Sequence, residues 1–336
     1  MSRILVFDLE NKVAGEVHAN VTRGWSINDG VDATFALTDN EASKPFMQLG
    51  RMVFIDGNDK LPNWSGMIDT PWNAVSPVTV TAYDIPYLMA VRSAYFPSTE
   101  AGNIRTLVMK LITLANSLDD LYIREGEITD LGAEISLPVT TTPLWGQLQT
   151  LLKNSRMEMK IRSELNIERR LLHYVDVQQI LGEELPTVLQ DGDGGNMKIV
   201  SAVVDGDIWN AVEGVNDASS QTSKLYSNVS VDQESVNLWR LRNRVEQFTT
   251  ASATELQTYA DNFLAANSSP YLNLQVSVRD AANLFGSIRL GNILTVRATE
   301  LKLPGGRMGW NGQARIEAMI YEESANQITL TLKGAL

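Results

Sequence analysis

Only two histidines, His18 and His173, occur in 336 residues, and each stands alone in a strand-like stretch. Isolated histidines in such a setting serve as hydrogen-bonded structural groups more readily than as metal ligands or general bases, which need partners close by. The chain has no cysteine, so thiolate metal sites, thiol nucleophiles and disulfides are excluded. Gly-x-Ser-x-Gly, His-Glu-x-x-His, the Walker phosphate loop and Gly-x-Gly-x-x-Gly are all absent. Ester hydrolysis, zinc proteolysis and nucleotide chemistry thus lose their usual signals, and no catalytic or cofactor-binding residue is assigned.

Carboxylates are the next resource. The run Gln190-Asp191-Gly192-Asp193-Gly194-Gly195-Asn196 offers oxygen from Asp191, Asp193 and Asn196. A calcium loop starting at Asp191 wants an oxygen side chain at its fifth position and a Glu at its twelfth, where Gly195 and Ala202 stand. The run reads as a flexible junction, no metal is expected, and calcium at Asp191 and Asp193 stays an open alternative. Forty acidic residues also offer many carboxylate pairs for glycoside hydrolysis, a signal with little specificity.

Two further groups carry polar or stacking chemistry. In Trp239-Arg240-Leu241-Arg242-Asn243-Arg244-Val245, strand geometry puts Arg240, Arg242 and Arg244 on one face and Leu241 and Val245 on the other. Three guanidinium groups on an acidic protein make a candidate subunit interface, with a solvated edge or internal ion pairs as the plainer reading. Trp64, Trp72 and Trp310 could form a stacking platform for sugars, in which case the chain is a carbohydrate-active or sugar-binding β protein. Core packing beside glycine is the plainer reading of these tryptophans.

The elements that hold these residues form a repeat. Residues 49–82 and 290–332 share one order: a Leu-Gly step (Gly50, Gly291), a β-rich run, a turn-rich gap, Trp-x-Gly (Trp64 and Gly66, Trp310 and Gly312), and an alternating Thr-bearing strand. Met52 to Ile55 is apolar throughout, which predicts cover on both faces, by a barrel interior and by a helix or neighbouring subunit. From about 93 the period changes: Ile104, Leu107, Val108, Leu111, Ile112 and Ala115 make one helical stripe. Thr142 as N-cap with Pro143 at the first helical position predicts a second helix, and Ser252-x-x-Glu255 opens a third, over about 253–266. Asp205-Gly206 is expected to turn a hairpin around Val203 to Ile208. The expected organisation is a β domain at 1–92, an α+β insertion at 93–195 and a second β domain at 196–336.

Composition bounds the setting. A formal charge of −12 is spread along the chain, with acidic residues outnumbering basic ones in all three segments, and this disfavours tight nucleic-acid binding. A surface that lets DNA slide past without sticking would carry this sign of charge. The N-terminal MSRILVFDLE lacks a signal-peptide pattern, and no apolar run approaches the roughly 20 residues that span a bilayer. A soluble protein made in a cytoplasm, with no stable membrane insertion, is expected.

This order of elements resembles the baseplate or tail hub proteins of tailed phages and related contractile injection systems. The resemblance runs through the Leu-Gly steps, Trp64-Ser65-Gly66-Met67-Ile68, the inserted α+β domain, and the closing Thr329-Leu330-Thr331-Leu332. It implies an α+β, mainly β fold: two tail-tube-like β-barrel domains with an inserted small α+β domain. It also implies a homotrimer whose six barrels join the tail tube or distal tail ring above to a spike or central fibre below. DNA would pass through the lumen without sequence-specific binding. The implied place is the virion tail tip or baseplate, assembled in the host cytoplasm, with no enzyme activity and no cofactor. The chain stops with its last strand, so peptidoglycan-degrading or receptor-binding parts are expected on another protein of the particle. A six-copy distal tail ring protein is the alternative from the same particle.

Overall fold

The computed structural model describes residues 1–336 except 59, 94–99, 131, 133–134, 138–141, 206–207, 217–223, 249–251 and 281–283, with backbone alone at 118, 136 and 305. The chain opens with β1 (Ser2–Phe7), β2 (Val13–Ser26), β3 (Ala33–Leu37), a short α1 (Asp39–Ala42), β4 (Met52–Ile55), β5 (Trp64–Asn73) and β6 (Val78–Tyr83). Their hydrogen-bonded order is β1-β4-β5-β6-β3-β2, and β2 pairs back onto β1. Six antiparallel strands therefore close into a barrel, which leaves no free edge within the ring of strands. Alternation decides what goes inside: Ile4, Val6, Val17, Val21, Phe35, Val53, Ile55 and Ile68 are buried and fill the interior. The barrel is a packed core and not a pore.

Helix α2 (Ile85–Ala90) leads into the α+β insertion, capped by Asp84, whose side chain accepts the Tyr87 N–H. There follow β7 (Glu100–Gly102), α3 (Ile104–Leu118), β8 (Ile123–Ile128), β9 (Ile135–Leu137), α4 (Leu144–Ser155), β10 (Glu158–Leu165) and β11 (Leu171–Gln178). The predicted stripe of α3 is buried along its length, and Asn103 caps the helix through Thr106 N. Helix α4 starts one residue later than expected: Pro143 occupies the cap position without a side-chain bond, and the Thr142 carbonyl accepts from Gln147 Nε2.

The remaining elements are β12 (Glu184–Gln190), β13 (Met197–Asp205), β14 (Ala211–Asn216), β15 (Ser230–Val231), α5 (Gln233–Trp239), β16 (Asn243–Phe248), α6 (Ala253–Asn267), β17 (Tyr271–Arg279), α7 (Leu284–Ser287), β18 (Ile293–Lys302), β19 (Met308–Glu322) and β20 (Gln327–Ala335). Strands β12, β18, β19, β20, β17 and β13 lie side by side in that order. Matched strand for strand, this is the order of the first barrel. One strand differs: β12 takes the place of β1 but runs parallel to β18, where β1 is antiparallel to β4.

Residues 211–267 stand apart from this second module. Strand β13 does not turn back as a hairpin at Asp205; it pairs with β17, and Gly206 of the expected turn lies outside the described residues. Between β13 and β17 the chain builds a separate sheet, β15-β14-β16, backed by α6. Val212, Phe248, Leu256, Tyr259 and Ala260 join one hydrophobic cluster with α2, α3 and α4. The helix expected within the second β domain thus packs on the insertion, and the boundary expected at 195/196 falls between β12 and β13, strands of one sheet. Both excursions from the barrels share a single core.

Candidate functional site

With no cluster of three or more His, Cys, Asp or Glu placed to hold a metal among the described residues, the features that invite a function are junctions. The first is the seam between the two β modules. Strand β2 is long enough to serve two partners on one side: residues 13–19 pair with β1, and Thr22–Ser26 pair antiparallel with Ala318–Glu322 of β19. The seam joins the modules into one twelve-stranded sheet. At its middle, Arg23 faces Tyr321, is only 3% exposed, and lies 5.6 Å from the Trp25 ring and 6.0 Å from the Tyr321 ring. Burial pushes the guanidinium down to about 10, while Glu323, Tyr321 and Asp56 act to hold it up. Glu323 ties the seam further by accepting from Val21 N at 3.1 Å.

The second junction holds the first barrel against the insertion. Leu5, Phe7 and Phe54 point outward from β1 and β4 and pack on Leu171, so the outer face of the all-apolar β4 is covered by the insertion. Asn11 clasps the same residue, donating from Nδ2 to the Leu171 carbonyl (2.8 Å) and accepting from Leu171 N (3.1 Å). Beside it, Ser65 of β5, Ser163 of β10 and His173 of β11 meet: the two hydroxyl oxygens are 2.6 Å apart and each lies 3.1 Å from His173 Nδ1. Burial, with a smaller contribution from Arg124, pushes the imidazole down to about 3, so the ring is neutral. A neutral ring protonated at Nε2 accepts at Nδ1 from one hydroxyl, and the hydroxyls share the other bond. A serine beside a histidine is nucleophile chemistry in the open, but His173 is 1% exposed and this trio works as a clasp. Asp84 lies on the same junction, accepting from Val31 N (2.7 Å) and Tyr87 N (3.4 Å); burial lifts its carboxyl to about 7.

The third junction docks the second module. Gly182 and Gly291 lie back to back with φ of +84° and +82°, and a Cβ on either would fall about 2 Å from the other segment's backbone. Arg315 spans the contact, donating from Nη1 to Glu158 Oε1 (2.5 Å) and from Nη2 to Glu158 Oε2 and the Leu181 carbonyl.

The residues singled out from sequence fall as follows. Gly50 and Gly291 take equivalent places: Gly50 N donates to Ile68 O (2.8 Å) and Gly291 N to Ile316 O (2.9 Å), both with positive φ. Trp64 and Trp310 are buried, at 3% and 7% exposure, each over the glycine two residues on, Gly66 and Gly312. They are not register equivalents, because Ile55 opposes Trp64 while Val296, at the matching place, opposes Gly312. Neither ring is open for stacking on a sugar. The three arginines do not share a face: Arg240 is the C-cap of α5 with φ +63°, and only Arg244 lies on a strand. Arg244 bonds Glu246 (2.6 Å) and sits 5.3 Å from Trp209 and 5.4 Å from Phe263, at the half-exposed margin of the insertion core. The oxygens of Asp191 are engaged by Thr299 and Glu300, and Asn196 holds Gln190 N and Val188 O, so these side chains do not converge with Asp193 on one point. Burial would raise the Asp191 carboxyl, yet the bonds from Thr299 and Glu300 leave it below its ordinary value. His18 is exposed near Glu16. Sequence reasoning missed the clasp, Arg23 and Asp84; a buried-strand histidine facing serine-bearing strands was the one available hint.

No family model and no curated protein matches the chain. Solved structures do. A prophage tail protein of Listeria monocytogenes EGD-e is similar with a TM-score of 0.63 at 14% identity, over 99% of this chain and 94% of that one. The 43 kDa tail protein of prophage MuSo2 from Shewanella oneidensis gives 0.60 at 11%, over 98% of each chain. A tail protein of Neisseria meningitidis MC58 gives 0.60 at 13%, over 99% and 96%. At these identities the likeness is one of fold, and the chain has the mainly β fold of phage tail proteins.

Proposed function

We propose that the chain is a structural hub of a phage tail tip or baseplate, not an enzyme, and that three copies form a ring of six barrel-like modules. The observation that carries this reading is the doubled module: two six-stranded sets with one strand order, fused through β2 and β19. A three-fold ring matches a six-fold tube when each copy supplies two similar units. The tail-protein fold supports a place in the virion tail; in the proposed hub the chain would stand between the tube or distal tail ring and a spike or central fibre. The first barrel and the unclosed second module are both filled with side chains, so a passage for DNA would run between copies and not through either module. A formal charge of −12 on each copy has the sign that such a passage would want if DNA is to slide by without sticking. No described helix is long and apolar enough to cross a membrane.

Native mass measurement, together with a symmetry count from particle images, tests the reading. Three copies per tail are expected. Six copies would assign the chain to a distal tail ring, and a stable monomer in the particle would end the hub reading.

A further inference from the structure

The two modules differ in one respect that the fold makes exact enough to use: the seam exists once. Within the chain, β2 of the first module pairs with β19 of the second. The repeat gives each a counterpart. Starting from Ile68 and Ile316, the ladders carry Ala82 onto Leu332, Ala33 onto Leu274, and Phe35 onto Val276. Phe35 opposes Val21 and Val276 opposes Ile199, so Thr22–Trp25 of β2 corresponds to Ser201–Val204 of β13. By the same ladders Met319–Glu322 of β19 corresponds to Trp72–Val75 at the end of β5.

Among the described residues neither counterpart has a strand partner on the matching side, and Val75 N donates only to the Asn73 side chain (3.2 Å). Among the described strands β13 pairs only with β17, and Ser201, Ala202 and Val203 are exposed, Val203 to 57%. On β5, β4 covers only Trp64–Met67, as β18 covers only the first part of β19. Asn73, Ala74 and Val75 are exposed, Val75 to 72%. Within one chain these two segments do not pair. An open edge bearing exposed valines is a template for pairing with another chain.

We infer that β13 of one copy pairs antiparallel with the end of β5 of a second copy, repeating the seam between molecules. The ladder places Val204 opposite Trp72, Val203 opposite Asn73, Ala202 opposite Ala74 and Ser201 opposite Val75. Ala74 and Val75 lie just past β5, so pairing lengthens that strand by two residues. The contact is heterologous, and it closes only as a ring or runs on as a filament. It names the interface of the proposed three-copy hub and rests on that reading.

Cysteine cross-linking of the full chain tests it, since the chain has no cysteine of its own. Directly opposed residues bring their Cβ atoms within about 5 Å, within reach of a disulfide under mild oxidation. The double variant Ala202→Cys with Ala74→Cys is expected to cross-link up to three chains on a denaturing gel and no further. Ala202→Cys with Asn73→Cys, one residue out of register, is expected to stay uncross-linked, because the slip turns the side chain to the other face. Val203→Lys is expected to dissociate the native assembly into chains that keep the far-UV circular dichroism of the folded protein. A native trimer without the Ala202–Ala74 cross-link would overturn this ladder and leave the hub reading standing. A chain that stays monomeric at every concentration and never cross-links would overturn both.

Discussion

At the scale of single residues, the junction between barrel and insertion carries two buried groups with opposite responses to acid. His173 is held at about 3, below its ordinary 6.5, so the unfolded chain takes up the proton first. The stability it contributes above pH 6.5 is lost as pH falls toward 3, a difference of several kcal/mol at full burial. Asp84 is held up at about 7 against 3.8, so its contribution is complete below pH 3.8 and is lost as pH rises through 7. Asp84→Asn should therefore flatten the decline in stability toward pH 7 and leave the acid limb in place, as read from denaturant midpoints across pH. An unchanged alkaline limb would show that Asp84 ionises freely. Ser65→Ala should cost about 1–3 kcal/mol, because it strips a partner from groups shut away from water. The histidine was legible as structural. Its partner Ser65 was not, since 108 residues separate them and a strand sequence carries no record of which distant strand it will face.

At the scale of elements, the two Leu-Gly steps look alike and bear different loads. Gly50 has a φ of +81° and open space around its missing Cβ, whereas Gly291 adds a backbone-to-backbone contact with Leu181 and Gly182. Gly50→Ala should cost about 1–2 kcal/mol from the left-handed backbone alone. Gly291→Ala should cost at least twice as much, because the docking of β12 must also give way; equal losses in denaturant titrations would refute the distinction. The repeat that exposed these glycines was readable because its landmarks recur in order. Its register was not: Trp-x-Gly matched across a shift of two residues, and a shift of two keeps every side chain on the same face of a strand. The arginine run misled for a local reason. Asp232 caps a short helix through Ser235 N (3.0 Å), and that helix reaches Trp239, so alternation does not begin until Asn243.

At the scale of the molecule, charge and connectivity decide behaviour. A chain at −12 should show no retention of duplex DNA in a mobility assay at physiological salt, and a clear shift would argue against a smooth passage. Mainly β architecture and doubled modules were legible in the sequence, because period and repeat are local properties. The shared core of the two excursions was not, since residues 85–177 and 211–267 each look like separate small domains until α6 is seen on α4. The seam has a consequence in time as well. Ser26 emerges from the ribosome long before Ala318, its partner across the ladder. The first barrel can close early through β1 and β2, but the far half of β2 must wait, edge bare, for almost the entire chain. Pairings so distant in sequence form slowly and leave the waiting strand exposed to wrong partners. The same strand edge that makes a good joint in the finished protein is, during synthesis, the place where misassembly between nascent copies would begin.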